Sequence, residues 1–390
     1  MPSLLSTFLL SFMLAVPAFS LAAPSPPASP SFEVIAVQAE AARTQDRVAD
    51  AIRLYREGTH LRPAWSDGWW YLGSLLYDQD RFSEAEAAFR HLLPSPKYRG
   101  PVNAFLGLCE YETGNYVDAQ TQFRTWANAG WPATPELRDV AVFHFALLLT
   151  RDGRFVESLY LLASEAPRLG DLPELSEAMG LASLRMRYLP EDFPPKEREP
   201  IWLAGKAALY AAQTNQEFNR ADEFAARLES RYGSQPGVHA FRATLYGFEL
   251  KKPEAEREYR AELEISPNDV SSMVALALID LEKGELAEAD ALARRALDAD
   301  SKDAEAHHIL GRVLLAKGDL PASLSELETA KELAPGNPLV RSHLAMVLSK
   351  LGRTQEAKAE SAAFLVLKNK QDVMASVQEK LGEDTRKKAH

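Results

Sequence analysis

The sequence contains a single cysteine, Cys109, among its 390 residues. One thiol cannot close an intramolecular disulfide or build a thiolate metal cluster within one chain, so both are excluded as sources of stability. Because Leu106, Gly107 and Leu108 precede it in an apolar helical pattern, we interpret Cys109 as a small buried residue.

The chain has no excess of positive charge, because 55 acidic residues outnumber 44 Lys and Arg. The formal net charge is −11 at pH 7, and there is no long run of Lys or Arg. Such a surface repels phosphate backbones and anionic lipids, which disfavours nucleic-acid binding. No apolar run beyond the N-terminus reaches transmembrane length, so we expect no membrane insertion of the mature chain. The hydrophobic share of 46% is typical of a folded protein rather than a disordered one.

The N-terminal residues predict an export signal. Residues 4–16 are nearly all apolar, and residues 20–23 read Ser-Leu-Ala-Ala. An apolar stretch of about a dozen residues that ends in small residues is typical of a signal peptide and too short to span a bilayer. We therefore predict a signal peptide at 1–22, a Pro/Ser-rich linker at 23–31, and a periplasmic or secreted protein. No Lys or Arg precedes the apolar run, which leaves a buried N-terminal helix as the alternative.

From residue 32 onward the sequence repeats with a period of 34 residues. Small and aromatic residues recur in five series at this spacing: Ala51, Ala85 and Ala119; Tyr55, Phe89 and Phe123; Ala221, Ala255 and Ala289; Ala277, Gly311 and Ala345; Gly284, Gly318 and Gly352. Such a period indicates a solenoid. Within each period, apolar residues at helical spacing flank a polar turn, which predicts two amphipathic helices. Left-handed turns are expected where the first helices end, at Gly114, Gly153, Gly284, Gly318 and Gly352.

These residues resemble the tetratricopeptide repeat, whose pattern has a Trp, then Leu-Gly, then Ala-x3-Phe. The best match is formed by Trp69, Leu72, Gly73, Ala85 and Phe89. The resemblance implies an all-α fold, a right-handed superhelical solenoid of helix-turn-helix repeats. It covers most of the chain after residue 31. It is specific for the fold and says little about function, since the family serves many partners.

The repeat frame predicts two blocks, an N-terminal block at 32–172 and a C-terminal block at 202–371. Between them, residues 173–201 hold one helical pattern followed by a cluster of prolines, which predicts an irregular connector. Residues 372–390 follow the last repeat, and the apolar helical face found there predicts a capping helix and tail.

The sequence shows no motif for catalysis, a cofactor or a metal. It has no Gly-rich phosphate loop, no His-Glu-x-x-His and no nucleophile elbow. His307 and His308 are adjacent, and adjacent helical residues point about 100° apart, so they cannot chelate one metal ion. We expect one of them to pack inward. We therefore predict that the protein is not an enzyme and holds neither cofactor nor metal.

The resemblance places a concave binding groove on the first helices of successive repeats. The corresponding residues here are Trp70, Ser74, Tyr77, Leu108, Tyr111, Phe143 and Leu147. Helical spacing puts each set on one helix face, and aromatic residues dominate interface hot spots. This stripe would suit an extended or helical peptide segment. The alternative is that the stripe is buried against a neighbouring repeat.

Together these features predict an exported scaffold that binds a protein or peptide, with a role in assembling an envelope complex. The alternative is a module that binds a polysaccharide or peptidoglycan, on which aromatic rings stack against sugar faces. A carbohydrate site should flank its aromatics with amide and carboxylate side chains. Apolar neighbours dominate the stripe instead, which favours a protein partner. An enzyme with an unrecognised motif ranks below both.

Overall fold

A computed structural model describes residues 31–190, 192–213 and 218–369. Within these ranges every regular element is a helix. The predicted signal peptide at 1–22, the first eight residues of the predicted linker and the predicted capping segment at 372–390 lie outside the described residues. The chain divides into two compact units, Met1–Leu92 and Leu93–His390.

The first unit contains two helix pairs. Its helices are α1 (Phe32–Thr44), α2 (Val48–Leu61), α3 (Ser66–Tyr77) and α4 (Phe82–Arg90). Each helix packs against the next one in the chain. Each pair corresponds to one of the predicted repeats.

The second unit continues the same pattern. Its helices are α5 (Arg99–Glu112), α6 (Tyr116–Asn128), α7 (Pro135–Arg151), α8 (Phe155–Leu169), α9 (Pro173–Ser183), α10 (Arg198–Ala212), α11 (Phe218–Tyr232), α12 (Val238–Phe248), α13 (Lys252–Ile265), α14 (Val270–Lys283), α15 (Leu286–Ala299), α16 (Ala304–Lys317), α17 (Leu320–Leu333) and α18 (Pro338–Lys350). A single 3-10 turn at Pro195–Glu197 precedes α10, and residues 354–369 are helical. Consecutive helices from α5 to α18 pack on one another, which confirms the predicted all-α solenoid of helix-turn-helix repeats.

Small residues on the first helix of a repeat make room for a large residue on the second. A Cβ atom added to Gly73 would lie 2.8 Å from the Phe89 ring, and one added to Gly107 would lie 2.6 Å from the Phe123 ring. Both rings are fully buried. Each aromatic ring therefore contacts the glycine of its own helix pair.

The backbone conformations and hydrogen bonds at the helix ends also recur from one repeat to the next. The five glycines predicted at left-handed turns all have a positive φ, between 75° and 84°. The first helices of three consecutive repeats also begin with the same kind of cap. Side-chain oxygens of Asp269, Asp303 and Asn337, spaced 34 residues apart, accept hydrogen bonds from backbone N–H groups of the first turn. Such caps contribute about 1 kcal/mol each.

The predicted connector at 173–201 is only partly irregular. A Cβ atom added to Gly180 would lie 1.9 Å from the backbone oxygen of Ile201, and one added to Gly205 would lie 1.7 Å from that of Ser176. Helices α9 and α10 therefore touch backbone to backbone. Helix α9 ends at Ser183, before the first of the prolines, and Arg185 has a positive φ of 56°. The prolines lie in the segment that follows and in the first turn of α10, where they do not interrupt a helix interior. The two glycines pack the segment tightly, which its proline content did not indicate.

Candidate functional site

On α3, the predicted stripe is half-buried and anchored by its own repeat. The Trp70 ring meets the Phe89 ring edge-on, with centroids 5.9 Å apart, and Tyr77 meets Phe82 in the same way at 5.4 Å. The Ser74 hydroxyl donates to the backbone oxygen of Trp70 at 3.0 Å. Each of the three side chains keeps part of its surface open to solvent. This face of α3 can therefore contact a partner without unfolding.

Helix α1 adds a charged cluster that sequence reasoning missed. The Glu40 carboxylate accepts hydrogen bonds from Arg43 at 2.5 Å and from the Tyr55 hydroxyl at 3.0 Å. The Arg43 guanidinium lies over the Tyr71 ring, 4.3 Å from its centroid. The hydrogen bond from Arg43 lowers the pKa of Glu40. Glu40 and Arg43 precede two stripe positions on α3 by 34 residues, so the repeat period was the signal that could have found them.

A cleft of about 460 Å³ opens on another side of α3, between α2 and α4. Trp69 lines it and stacks on His91, with ring centroids 3.9 Å apart and planes 9° from parallel. The indole N–H of Trp69 donates to the Pro63 backbone oxygen at 2.8 Å. Trp69 matches the family's core tryptophan, yet it is only half-buried here. Polar groups of α2, including Thr59 and His60, share the cleft.

In the second unit, three of the four stripe residues are buried, contrary to the expected exposed face. Leu108 is 1% exposed, Tyr111 8% and Leu147 2%. The reason is that α5 packs against α7 as well as against α6. The Tyr111 ring lies 4.6 Å from the His144 ring, with the planes nearly perpendicular. Phe143 remains half-buried, so the accessible part of the stripe is Trp70, Ser74 and Tyr77 in the first unit and Phe143 in the second.

A polar cluster around the buried His308 joins α16 and α18. His308 is 1% exposed; its Nδ1 lies 3.2 Å from a Glu305 carboxylate oxygen and its Nε2 lies 3.0 Å from Nδ1 of His343. The same Nδ1 of His343 lies 2.8 Å from the backbone oxygen of Leu339. A carbonyl oxygen only accepts, so His343 donates from Nδ1 and His308 accepts at Nε2. The prediction that one of the two adjacent histidines packs inward is confirmed for His308.

This cluster predicts an acid-sensitive stability. Burial lowers the pKa of His343 to about 4, from its ordinary value of 6.5. Between these values the unfolded chain binds more protons than the folded one, so stability falls as the pH falls through this window. Between pH 7 and pH 4 this effect should lower the free energy of unfolding of the wild-type chain by about 1–3 kcal/mol. The variant His343→Asn should not show this decrease. Urea unfolding of both proteins at several pH values measures it. If the free energy of unfolding depends on pH in the same way for wild type and His343→Asn, groups other than His343 cause the acid sensitivity.

Comparison with known proteins identifies the repeat. A family model for the tetratricopeptide repeat matches residues 37–100 and 274–338. Among curated proteins, the chain is similar to cellulose synthase 1 operon protein C of Komagataeibacter xylinus, with 26% identity over 215 residues. The match covers 52% of this chain but only 16% of that protein.

Two solved structures match part of the chain. MamA from Desulfovibrio magneticus RS-1 is 14% identical, with a TM-score of 0.38. The match covers 45% of this chain and 97% of the MamA chain. YrrB, described as a TPR protein with an unusual peptide-binding site, is 16% identical, with a TM-score of 0.36. The match covers 47% of this chain and 94% of the YrrB chain. Among the described helices, none is both long enough and apolar enough to cross a bilayer.

Proposed function

We propose that this chain, which matches the tetratricopeptide-repeat model at residues 37–100 and 274–338, is an exported scaffold. It binds a protein or peptide segment through the first helices of its first unit. In this role it brings a partner to an envelope complex and performs no chemistry itself. The fold supports a scaffold, since stacked helix pairs present a long surface and each repeat contacts only its neighbours.

The observation that carries this proposal is the mixed face formed by α1 and α3. Trp70 and Tyr77 offer half-exposed rings that are already held by Phe89 and Phe82, so binding would order few side-chain torsions. Beside this aromatic face, Arg43 presents a guanidinium stacked on Tyr71. Rings backed by a rigid core and flanked by a charge are the usual make-up of an interface hot spot.

Export and an envelope role rest on two further features. The apolar N-terminal run followed by small residues is typical of a signal peptide. In addition, the relative from Komagataeibacter xylinus is named for a cellulose synthase operon. Cys109 is fully buried, so this thiol does not offer a surface disulfide to a partner in an oxidising compartment.

A polysaccharide ligand is the second candidate, and the cleft beside Trp69 is the observation that favours it. There an indole lies among a hydroxyl, an imidazole and a guanidinium, from Thr59, His60 and Arg56. Hydrogen-bonding groups around an aromatic ring suit a sugar. However, His91 covers one face of the Trp69 ring, which leaves less of the ring for stacking.

A single preparation tests the proposal. The full-length chain is produced in a host with an export pathway and recovered from the envelope fraction with its cross-linked partners. We expect an intact mass that corresponds to cleavage after Ala22, and a protein partner that is enriched with the wild-type chain. The double variant Trp70→Ala/Tyr77→Ala should lose that partner by more than about tenfold, since hot-spot residues each contribute over 1 kcal/mol. Its melting temperature should change little.

The matched control is Tyr160→Ala, which removes an aromatic ring that is 63% exposed on α8, outside the stripe. It should retain the partner fully. Retention of the partner by the double variant would contradict the proposed face, and a chain that keeps Met1 would contradict export. Cosedimentation with insoluble cellulose or peptidoglycan, lost in Trp69→Ala but kept in Trp70→Ala, would favour the polysaccharide candidate instead.

A further inference from the structure

Three side chains from three successive helices meet at one point in the second unit. Glu229 lies on α11, His239 on α12 and Glu258 on α13. One nitrogen or carboxylate oxygen from each falls within 4.8 Å of the others, and all three residues are half-buried. Nδ1 of His239 lies 2.6 Å from a carboxylate oxygen of Glu258. Two carboxylates and an imidazole thus face one another across a helix junction.

The neighbouring repeats show what this junction contains elsewhere. Its three positions recur every 34 residues, occupied by Leu263, Met273 and Leu292, then by Leu297, His307 and Glu326, and finally by Lys331, Arg341 and Glu360. The first set packs in one hydrophobic cluster. In the last set a single carboxylate pairs with two cations, Lys331 at 3.2 Å and Arg341 at 2.9 Å from Glu360. In these two repeats the junction is therefore filled either by apolar packing or by a carboxylate that is neutralised by cations.

The junction of Glu229, His239 and Glu258 differs from these in charge. In the intermediate junction a leucine stands beside the His307–Glu326 pair, whereas here a second carboxylate takes the place of that leucine. Arg242 forms an ion pair with Glu229, but its Nε lies 3.7 Å from the carboxylate oxygen, beyond hydrogen-bond distance. Its guanidinium is held elsewhere, by Asp222 at 2.6 Å and the Tyr246 hydroxyl at 2.9 Å.

We propose that Glu229, His239 and Glu258 bind a divalent first-row transition metal, with zinc as the preferred ion. Zinc takes imidazole and carboxylate ligands at about 2.0–2.2 Å in a tetrahedral arrangement. The three donors already lie within 4.8 Å of one another, close enough for one ion to reach all three when their side chains shift towards it. Three protein ligands leave the fourth position to water. The ion supplies the positive charge that Lys331 and Arg341 supply in the last repeat. Its ligands also connect α11 to α12 and α13.

The site would also stabilise the array. An ion that binds the folded chain and not the unfolded one raises stability in proportion to the logarithm of its concentration. Imidazole among the ligands favours zinc over magnesium, which prefers oxygen ligands alone and keeps its waters. The melting temperature should therefore rise with zinc and not with magnesium.

Calorimetric titration of the untagged, metal-free full chain with zinc chloride tests the proposal. We expect one zinc ion per chain. Glu229→Gln and His239→Leu should each weaken binding by roughly tenfold or more. A second variant separates metal binding from folding: Glu229→Lys reproduces the lysine of the last repeat, so it should abolish zinc binding while the melting temperature in the absence of metal is kept or raised.

Two further variants use the repeat as an internal control. His307→Leu removes the equivalent histidine two repeats later and should leave zinc affinity unchanged. Leu297→Glu adds the missing carboxylate to that junction and should raise the stoichiometry to two zinc ions. The proposal is overturned if the wild-type chain binds no zinc. It is equally overturned if Glu229→Gln binds zinc as tightly as wild type, or if His307→Leu is the variant that loses it.

Discussion

Replacing Gly205 by alanine is expected to lower the free energy of unfolding by about 3 kcal/mol or more. The added methyl carbon would lie 1.7 Å from the backbone oxygen of Ser176 and 2.6 Å from its carbonyl carbon. A flexible side chain could turn away from such a contact, but backbone cannot. Helices α9 and α10 would have to separate, and the contacts between them would be lost along with the close approach. Urea unfolding followed by circular dichroism measures the change.

The matched control for this substitution is Gly247→Ala on α12. That glycine is also helical, but a Cβ atom there would meet nothing within 4 Å. Alanine is the better helix former, so the variant should be neutral or more stable by up to about 1 kcal/mol. Equal stability of the Gly205 and Gly247 variants would show that the two helices are not held at the distance described here.

Trp126→Ala should be the most damaging removal of a side chain, at about 3–5 kcal/mol. Trp126 is fully buried on α6, with its ring 4.8 Å from that of Trp131 in an edge-to-face contact. Its indole N–H lies 3.4 Å from the Pro132 backbone oxygen. Truncation leaves a large cavity and removes the support of the turn that leads into α7. The same unfolding measurement applies.

Trp202→Ala on α10 is the control for that loss. Its side chain is 38% exposed and makes an edge contact with Phe224 at 5.4 Å. Removing it should cost only about 1–2 kcal/mol, because solvent can fill much of the vacated space. If Trp202→Ala lowers the free energy of unfolding as much as Trp126→Ala does, the difference in burial does not determine the contributions of these two side chains to stability.

Much of the architecture could be predicted because repeats make local signals reinforce one another. Gly284 and Gly318 were expected to end first helices with a left-handed residue, and both do, with φ of 83° and 84°. Gly73 recurs with the repeat period as Gly107, and each of these glycines lies under the aromatic ring of its own helix pair, Phe89 and Phe123. Such predictions depend on backbone conformation and on contacts within one helix pair. Those contacts are set by residues fewer than 34 positions apart.

The candidate site was predicted less well, because exposure depends on how neighbouring repeats fit. Trp70 and Tyr111 occupy equivalent first-helix faces, yet only the first remains half-open. Tyr111 is covered because α7 lies against α5 and brings His144 to its ring. Nothing in the local pattern of α5 distinguishes these outcomes. The binding role of the stripe stays a prediction that now rests on its accessible members.

The sequence by itself determined the helix pairs, the glycine turns that end their first helices, and the resemblance to the tetratricopeptide repeat. Each follows from short-range periodicity and from the conformations open to glycine. Only the tertiary structure decided which faces are covered. It also decided that α9 and α10 meet through Gly180 and Gly205, and that Glu229, His239 and Glu258 converge. These three carboxylate and imidazole groups are 10 and 19 residues apart along the chain, on separate helices. Packing of one helix against the next sets their distances, and no spacing rule within a single helix encodes it.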